Sequence, residues 1–400
     1  MKTLFRCAIA LICSIPAAAF AQEPPAVPSS ASEPQGVIAE PDIITRAVLF
    51  ADRHLGKGDL TNGIYVDYGN MIPGAGWASV GPGYRHWYGK DSLFVDASAS
   101  ISVTGYRMAQ ARFELPALLK SRLVAGVQSR WQQFNGVDYF GSGPDSLPSA
   151  LSDYAVKSTQ LEGYVTIRPV RWLDLDGHIG WVNPRTRHLD GPLLQGLNSR
   201  QAYVPTGVAL TIDTRDFPDH PTRGVMLRGA ATRYDDRTSG SNGVNSFNRF
   251  DSEAAGFVPI GKVVLGVHGW MVRSDVDAGR SVPFYFQPTL GGVSSLRSFA
   301  DYRFRDDNML LATVEMRLAL LTHLDLAGFV DAGSVARRPG DLDLAKRSYG
   351  GGLRFHTRRD TFAEIDLAHG TEGWRAMFRL KDPLLLGRLD RKTTIVPFVP

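Results

Sequence analysis

The chain has 400 residues, with 44 Lys plus Arg against 40 Asp plus Glu, for a formal net charge of +4. That excess is too small to indicate a nucleic-acid partner. The only cysteines, Cys7 and Cys13, stand close to the amino terminus, so the rest of the chain has neither a disulfide framework nor a thiolate metal site.

Residues 1–21 read as a signal peptide. Lys2 and Arg6 make a basic start, Cys7 to Pro16 an apolar middle, and Ala19-Phe20-Ala21 a small-x-small cleavage site. The apolar run is shorter than the ~20 residues of a spanning helix. Ile12 is bulky where a lipid-attachment site at Cys13 wants a small residue. The expectation is a bacterial protein exported from the cytoplasm. Residues 22–58 follow as a linker and a short amphipathic helix. Gln22 to Pro41 is rich in Pro, Ala, Ser and Glu, a composition that does not pack a core. From Asp42 to Leu55, the residues Ile43, Ile44, Val48, Leu49 and Ala51 recur at helical spacing, with Asp42 as cap and Gly56 as stop. This helix either sits at the mouth of the following domain, plugs it, or is a docked strap.

From Gly76 onward the pattern has period two. Leu93, Val95, Ala97, Ala99, Ile101 and Val103 alternate with Asp96, Ser98, Ser100, Ser102 and Thr104. Successive side chains of an extended chain point to opposite faces, so one face is apolar and the other polar. The rhythm returns around Leu161–Ile167, Leu173–Trp181, Val208–Ile212, Leu310–Leu318 and Trp374–Leu380, and the polar face is repeatedly charged. Charges suit a hydrated lumen better than a second packed sheet. The hydrophobic content of 44% matches that of a soluble protein. A transmembrane barrel has the same modest average, because lipid-facing and lumen-facing residues alternate. No later apolar run is long enough for a spanning helix, and only closed strands satisfy every backbone group in lipid without one. Asp216 to Gly224, Pro169-Val170-Arg171 and Leu321-Thr322-His323 read as tight connections. Ser142 to Asp153, Asp235 to Asn245 and Arg337 to Arg347 read as longer loops at the opposite end. The prediction is an all-β, transmembrane antiparallel β-barrel of about 16 strands over residues 59–382, with a tail at 383–400.

Catalytic and metal motifs are missing at the level of sequence. The nine histidines are scattered, with no His-Glu-x-x-His pattern. Gly292-Val293-Ser294 lacks the closing glycine of a nucleophile elbow. Gly351-Gly352 falls in a strand, so it is no phosphate cradle. Ser348 and His356 are the residue types of a lipase pair, but lumen polar residues of a barrel wall account for both. No catalytic residue, metal or cofactor is expected.

The most telling stretch is Leu290-Gly291-Gly292-Val293-Ser294-Ser295-Leu296-Arg297-Ser298-Phe299, followed by Glu315-Met316-Arg317 and Phe329-Val330-Asp331-Ala332-Gly333. With Asp213-Thr214-Arg215-Asp216, Pro221, Gly224 and Tyr139-Phe140-Gly141, this order resembles the bacterial surface antigen barrel superfamily. That superfamily includes the outer-membrane assembly factor and the two-partner-secretion transporters. The resemblance implies a long extracellular loop folded into the barrel, its tip Arg297 meeting Asp331. On alternation, Asp331 shares the polar face with Asp325, Phe329 and Gly333, and Glu315 and Arg317 face the same space. The plain alternative for Arg297 is a solvated loop cation.

The chain departs from the family at three points. Ser298 stands where the family has a glycine. Residues 22–58 are too short for even one polypeptide-transport-associated domain, which takes roughly 75 residues. Residues after Phe378 run on beyond the usual aromatic end. The resemblance implies an outer-membrane location and a role in inserting or translocating proteins or lipid, through a pliable seam between first and last strands. The expected partners are outer-membrane lipid and lipopolysaccharide, with protein clients or a periplasmic partner and no nucleic acid. A passive pore or structural surface protein, and an outer-membrane phospholipase, are the alternatives.

Overall fold

A computed structural model describes residues 36–46, 48, 62–69, 79–89, 92–192, 199–277, 280–357 and 360–380. The expected signal peptide, most of the linker, the helix beyond residue 48 and the tail at 383–400 lie outside the described residues.

Sixteen long strands make the wall. They are β1 Gly63–Gly69, β2 Ser79–Tyr88, β3 Leu93–Ser102, β4 Arg107–Ala117, β5 Leu123–Tyr139, β6 Ser152–Val170, β7 Leu173–Val182 and β8 Tyr203–Asp213. There follow β9 Gly224–Asp236, β10 Phe247–Ile260, β11 Val263–Asp275, β12 Asn308–Leu321, β13 Leu324–Ala336, β14 Lys346–His356, β15 Thr361–Gly370 and β16 Gly373–Leu380. Each pairs antiparallel with the next, so the sheet is a single meander with β1 and β16 at its two ends. Short segments extend it: Arg185–Asp190 pairs with the end of β6, and Ser199–Arg200 pairs with Arg185–Thr186. The strand count agrees with the sequence reading.

The connections are asymmetric. Two-residue turns join β6 to β7, β10 to β11 and β12 to β13 at one end. The other end carries residues 140–151, 183–202, 237–246, 276–307 and 337–345. Short turns on the periplasmic side and long loops outside are the habit of outer-membrane barrels, which orients the molecule. One connection differs from its expectation. Residues 214–223, between β8 and β9, do not form a plain surface turn. Asp219 makes a parallel bridge to Asp360, and His220 and Pro221 are buried.

Burial follows the two-residue period. On β3, Phe94, Asp96, Ser98, Ser100 and Ser102 are buried while Ala99 and Ile101 are exposed. On β13, Asp325, Phe329 and Asp331 are buried while Leu326 and Val330 are exposed. Ile64, Val208, Met316, Leu367 and Trp374 extend the apolar outer face onto other strands. Soluble monomers rarely expose an apolar surface that continues from strand to strand, and in lipid it carries no such cost. No helix among the described residues is long and apolar enough to cross a membrane.

The core lies inside the wall, and much of it comes from the loop at 276–307. Phe284, Tyr285 and Phe286 pack with the wall aromatics Tyr139, Tyr154, Tyr203, Tyr234 and Phe247. Below them Leu290, Leu296, Phe299 and Phe304 pack with Val272, Met309, Leu311 and Val335. At the periplasmic rim an amino-terminal strap runs along the end of β12. Val37 and Ile38 donate backbone hydrogen bonds to Ala319 and Leu320, and residues 42–46 and 48 are helical. A Cβ at Gly36 would meet the Leu321 backbone, so glycine allows that close approach.

Candidate functional site

The loop tip is shaped by its own sequence. Gly291 and Gly292 take φ of 117° and 88°, values that favour glycine, and let the chain double back. Gly292 N–H donates to Phe299 O at 3.1 Å and closes the hairpin, while Ser295 Oγ receives the Gly291 N–H at 2.9 Å. A two-stranded ribbon, Thr289–Leu290 against Phe304–Arg305, forms the stem. Phe299 turns into the loop's apolar cluster, edge-on to Phe304 at 5.2 Å, and anchors the tip without touching its charges.

Arg297 projects from this tip onto the wall. Its Nε and Nη2 donate to the two oxygens of Asp331 at 2.9 and 2.8 Å, the fork geometry a guanidinium offers a carboxylate. Its Nη1 donates to Glu315 at 3.0 Å and lies 3.5 Å from Asp366. Its Cζ sits 3.3 Å from the centroid of the Phe329 ring. Such a contact contributes on the order of 2 kcal/mol when desolvated. Arg354 closes the circuit, donating to Asp366 at 2.6 Å and Glu315 at 2.9 Å. Two guanidiniums thus face three carboxylates drawn from β12, β13 and β15. Burial opposes the charge on Arg297, and the hydrogen bonds and charges of Asp331, Glu315 and Asp366 outweigh it, so its pKa stands above the ordinary value. Arg297 is only 7% exposed, which rules out the reading as a solvated cation.

Glycines on the facing strands make room. A Cβ at Gly350 would meet the Phe329 ring, and one at Gly352 would collide with Asp366. Gly350 and Gly352 are therefore a socket for the site, while Gly351 between them lies against the Ala327 carbonyl. Gly333 lies against the Leu310 carbonyl and the Leu290 side chain, where a larger residue would not fit. Ser298, the departure from the family, is accommodated from across the lumen. Its N–H donates to Ser348 Oγ at 2.8 Å, and its side chain occupies space left by Gly370. The Ser298 hydroxyl is buried and has no hydrogen-bond partner among the described residues.

All six residues singled out from the sequence lie on or around this loop. Arg297 contacts Asp331, Glu315 and Phe329, Gly333 lies beneath Leu290, and Phe299 packs the loop. Arg354, Asp366 and Thr313 escaped the sequence reading, which took Ser348 only as a residue type of a lipase pair. Thr313 donates to Asp331 at 3.0 Å. Their only local signal was polar-face alternation, which does not reveal partners contributed by distant strands. Ser348 and His356 do not meet. They are eight residues apart on β14, about 26 Å along an extended strand. Ser348 holds the loop tip and His356 faces Asp325 at 3.2 Å.

Comparison with known proteins agrees with this architecture. The family model described as the Omp85 superfamily domain matches residues 93–358. No curated protein sequence matches the chain. Among solved structures, BamA from Haemophilus ducreyi lacking POTRA domains 1–3 aligns with a TM-score of 0.60 and 14% identity, over 80% of this chain and 69% of that one. CdiB from Escherichia coli aligns with a TM-score of 0.56 and 14% identity, over 80% and 62%. CdiB from Acinetobacter baumannii aligns with a TM-score of 0.51 and 15% identity, over 80% and 59%. The chain thus spans less than two thirds of either CdiB. The match covers well over half of the sequence, and with the lipid-facing wall and the lumen loop it gives the identification: the chain belongs to the Omp85 superfamily and is a barrel of the bacterial outer membrane.

Proposed function

We propose that this barrel inserts or translocates protein at the outer membrane, with the arginine-locked loop as an internal brace and the junction of β1 and β16 as the working edge. The observation that carries the reading is the lumen itself. The 276–307 loop fills its outer part with buried aromatics and is fastened by Arg297 to Asp331, Glu315 and Asp366. A lumen so occupied is poorly suited to a steady open pore. It suits a wall braced at β12–β15 beside an edge, the junction of β1 and β16, that yields. Among the described residues, β1 and β16 are the wall strands that pair on one side only, β1 with β2 and β16 with β15.

The separation of Ser348 from His356 removes the candidate pair for phospholipase chemistry. Clients are then unfolded outer-membrane polypeptides, with lipid and lipopolysaccharide as the surrounding solvent of the seam. Depletion of the protein followed by an outer-membrane proteome is the test. Loss of specific membrane proteins supports the reading. An unchanged proteome together with large, steady single-channel currents from the purified barrel establishes the passive-pore alternative.

A further inference from the structure

The folding of residues 214–223 into the lumen gathers three side chains that are far apart in sequence. His220 comes from that turn, Asp325 from the start of β13 and His356 from the end of β14. All three are buried, and one ligand atom from each lies within 4.8 Å of the others. His356 Nε2 is 3.2 Å from Asp325 Oδ1, and His220 Nε2 is 3.6 Å from Asp325 Oδ2. Among the described residues this is the one group of three His, Cys, Asp or Glu side chains so arranged.

The outer nitrogens are already engaged. His356 Nδ1 lies 2.9 Å from the Thr357 carbonyl, which accepts only an N–H. Its Nε2 then presents a lone pair to a carboxylate unless a second proton or a cation lies between them. His220 Nδ1 lies 3.0 Å from Thr361 Oγ1, which can accept its N–H. Carbonyl or hydroxyl partners on the far ring nitrogen are the usual orientation of metal-bound histidine.

We propose that His220, Asp325 and His356 bind a zinc-class divalent cation that staples the 214–223 turn to β13 and β14 at the periplasmic mouth. Two imidazoles and one carboxylate suit Zn(II) and its neighbours in the first transition row, and exclude calcium and magnesium, which take oxygen sets. Zinc bonds of roughly 2.0–2.2 Å place tetrahedral donors about 3.4 Å apart, close to the two Asp325 separations. The imidazole rings are stacked at 3.9 Å with an interplanar angle of 11°, so their lone pairs run parallel. Binding splays them, and His220 is the ring that moves, because it rides on a turn and not on a strand. Arg317 stands against the site, with Nη1 3.2 Å from His220 Nδ1 and Nη2 donating to the Pro221 carbonyl. It keeps the carbonyl contact and gives up the ring nitrogen as the N–H of His220 passes to Thr361.

The test uses the full chain folded in detergent and stripped with chelator, then titrated with Co(II) and Zn(II). One Co(II) per chain is expected, with visible absorption of a low-symmetry tetrahedral centre that Zn(II) displaces. His220→Ala and His356→Ala each weaken binding at least ~100-fold, beyond the 10–100-fold typical of losing an outer partner. Asp325→Asn, which keeps shape and hydrogen bonding, does the same if an alanine variant misfolds. Zinc also slows tryptic cleavage at the exposed Arg223 in the wild type and not in the variants. Substoichiometric binding by the wild type overturns the site, as does unchanged binding in folded His220 and His356 variants. Either result leaves only a proton shared between the rings and Asp325.

Discussion

The site is a small number of contacts whose worth depends on exclusion of water. Removing one member of a buried, hydrogen-bonded ion pair typically costs about 3–5 kcal/mol, because the partner is left charged and unpaired. Arg297→Ala leaves Asp331, at 0% exposure, without its fork and removes the cation over Phe329. The expected outcome is a lower temperature for heat-modified migration and new protease cleavage within 276–307. Arg297→Lys keeps the charge but offers one donor group where the site uses three nitrogens, so it recovers part of the loss. Ser298 and Gly370 make a second, separable prediction. Gly370→Ala places a Cβ against the Ser298 side chain, an overpacking of about 1–3 kcal/mol. Ser298→Gly removes the nearer obstruction together with the unpartnered hydroxyl, leaving the Arg347 carbonyl at 2.9 Å. The double variant is therefore more stable than Gly370→Ala alone, and a double-mutant cycle in thermal denaturation shows coupling. Additive effects would mean that the two residues do not share space.

At the scale of elements, the strands were the most legible part of the sequence. The expected barrel of about 16 strands matches β1–β16. Period-two alternation is a local property, and lipid on one face leaves it undiluted. Interactions that join separate elements were not legible. The Asp216–Gly224 stretch carries turn residues, and those same residues permit either a surface turn or an inward fold. What decides is His220 and Pro221 meeting Arg317, more than ninety residues away. The strap is a similar case. Its composition reads as linker, yet Glu40 accepts from the His323 backbone N–H at 2.8 Å, contacts His323 Nδ1 at 2.8 Å and accepts from Thr45 at 2.7 Å. Burial pushes the Glu40 pKa up, but the hydrogen bonds from Thr45 and His323 and the charge of the His323 ring outweigh it and lower it overall. A carboxyl with a depressed folded-state pKa contributes stability that is complete above its unfolded value and lost as pH falls through the folded one. Docking of the strap is thus expected at neutral pH and to loosen only in acid, below the usual Glu range. Limited proteolysis of residues 36–46 across pH 3 to 7 measures this, and Glu40→Gln should show the loosened pattern throughout. A strap equally protected at both ends of that range would mean that Glu40 does not hold it.

At the scale of the molecule, the ties are distributed unevenly around the wall. The Arg297 circuit, the His220 cluster and the strap all engage β12 to β15, and Arg375 of β16 holds Asp301 of the loop at 3.0 Å, whereas β1 pairs only with β2 among the described residues. Ladder hydrogen bonds each contribute only on the order of 1 kcal/mol net, so on the proposed function the junction of β1 and β16 opens before the long ladders of the wall. Tying that junction should stop a function that needs it and spare one that needs only the lumen. A disulfide engineered between β1 and β16, within the about 4.4–6.8 Å Cα separation such bonds require, is the discriminating variant. Oxidised protein is expected to fold normally and fail to restore the outer-membrane proteome of depleted cells, and reduction to restore it. Arg297→Ala acts on the other route. Freeing the tip from the wall should turn small, flickering bilayer currents into larger, steadier ones, because the loop's aromatics no longer close the lumen. If the locked junction complements fully and Arg297→Ala abolishes complementation, the lumen is the working path, and the loop is its gate in place of a brace.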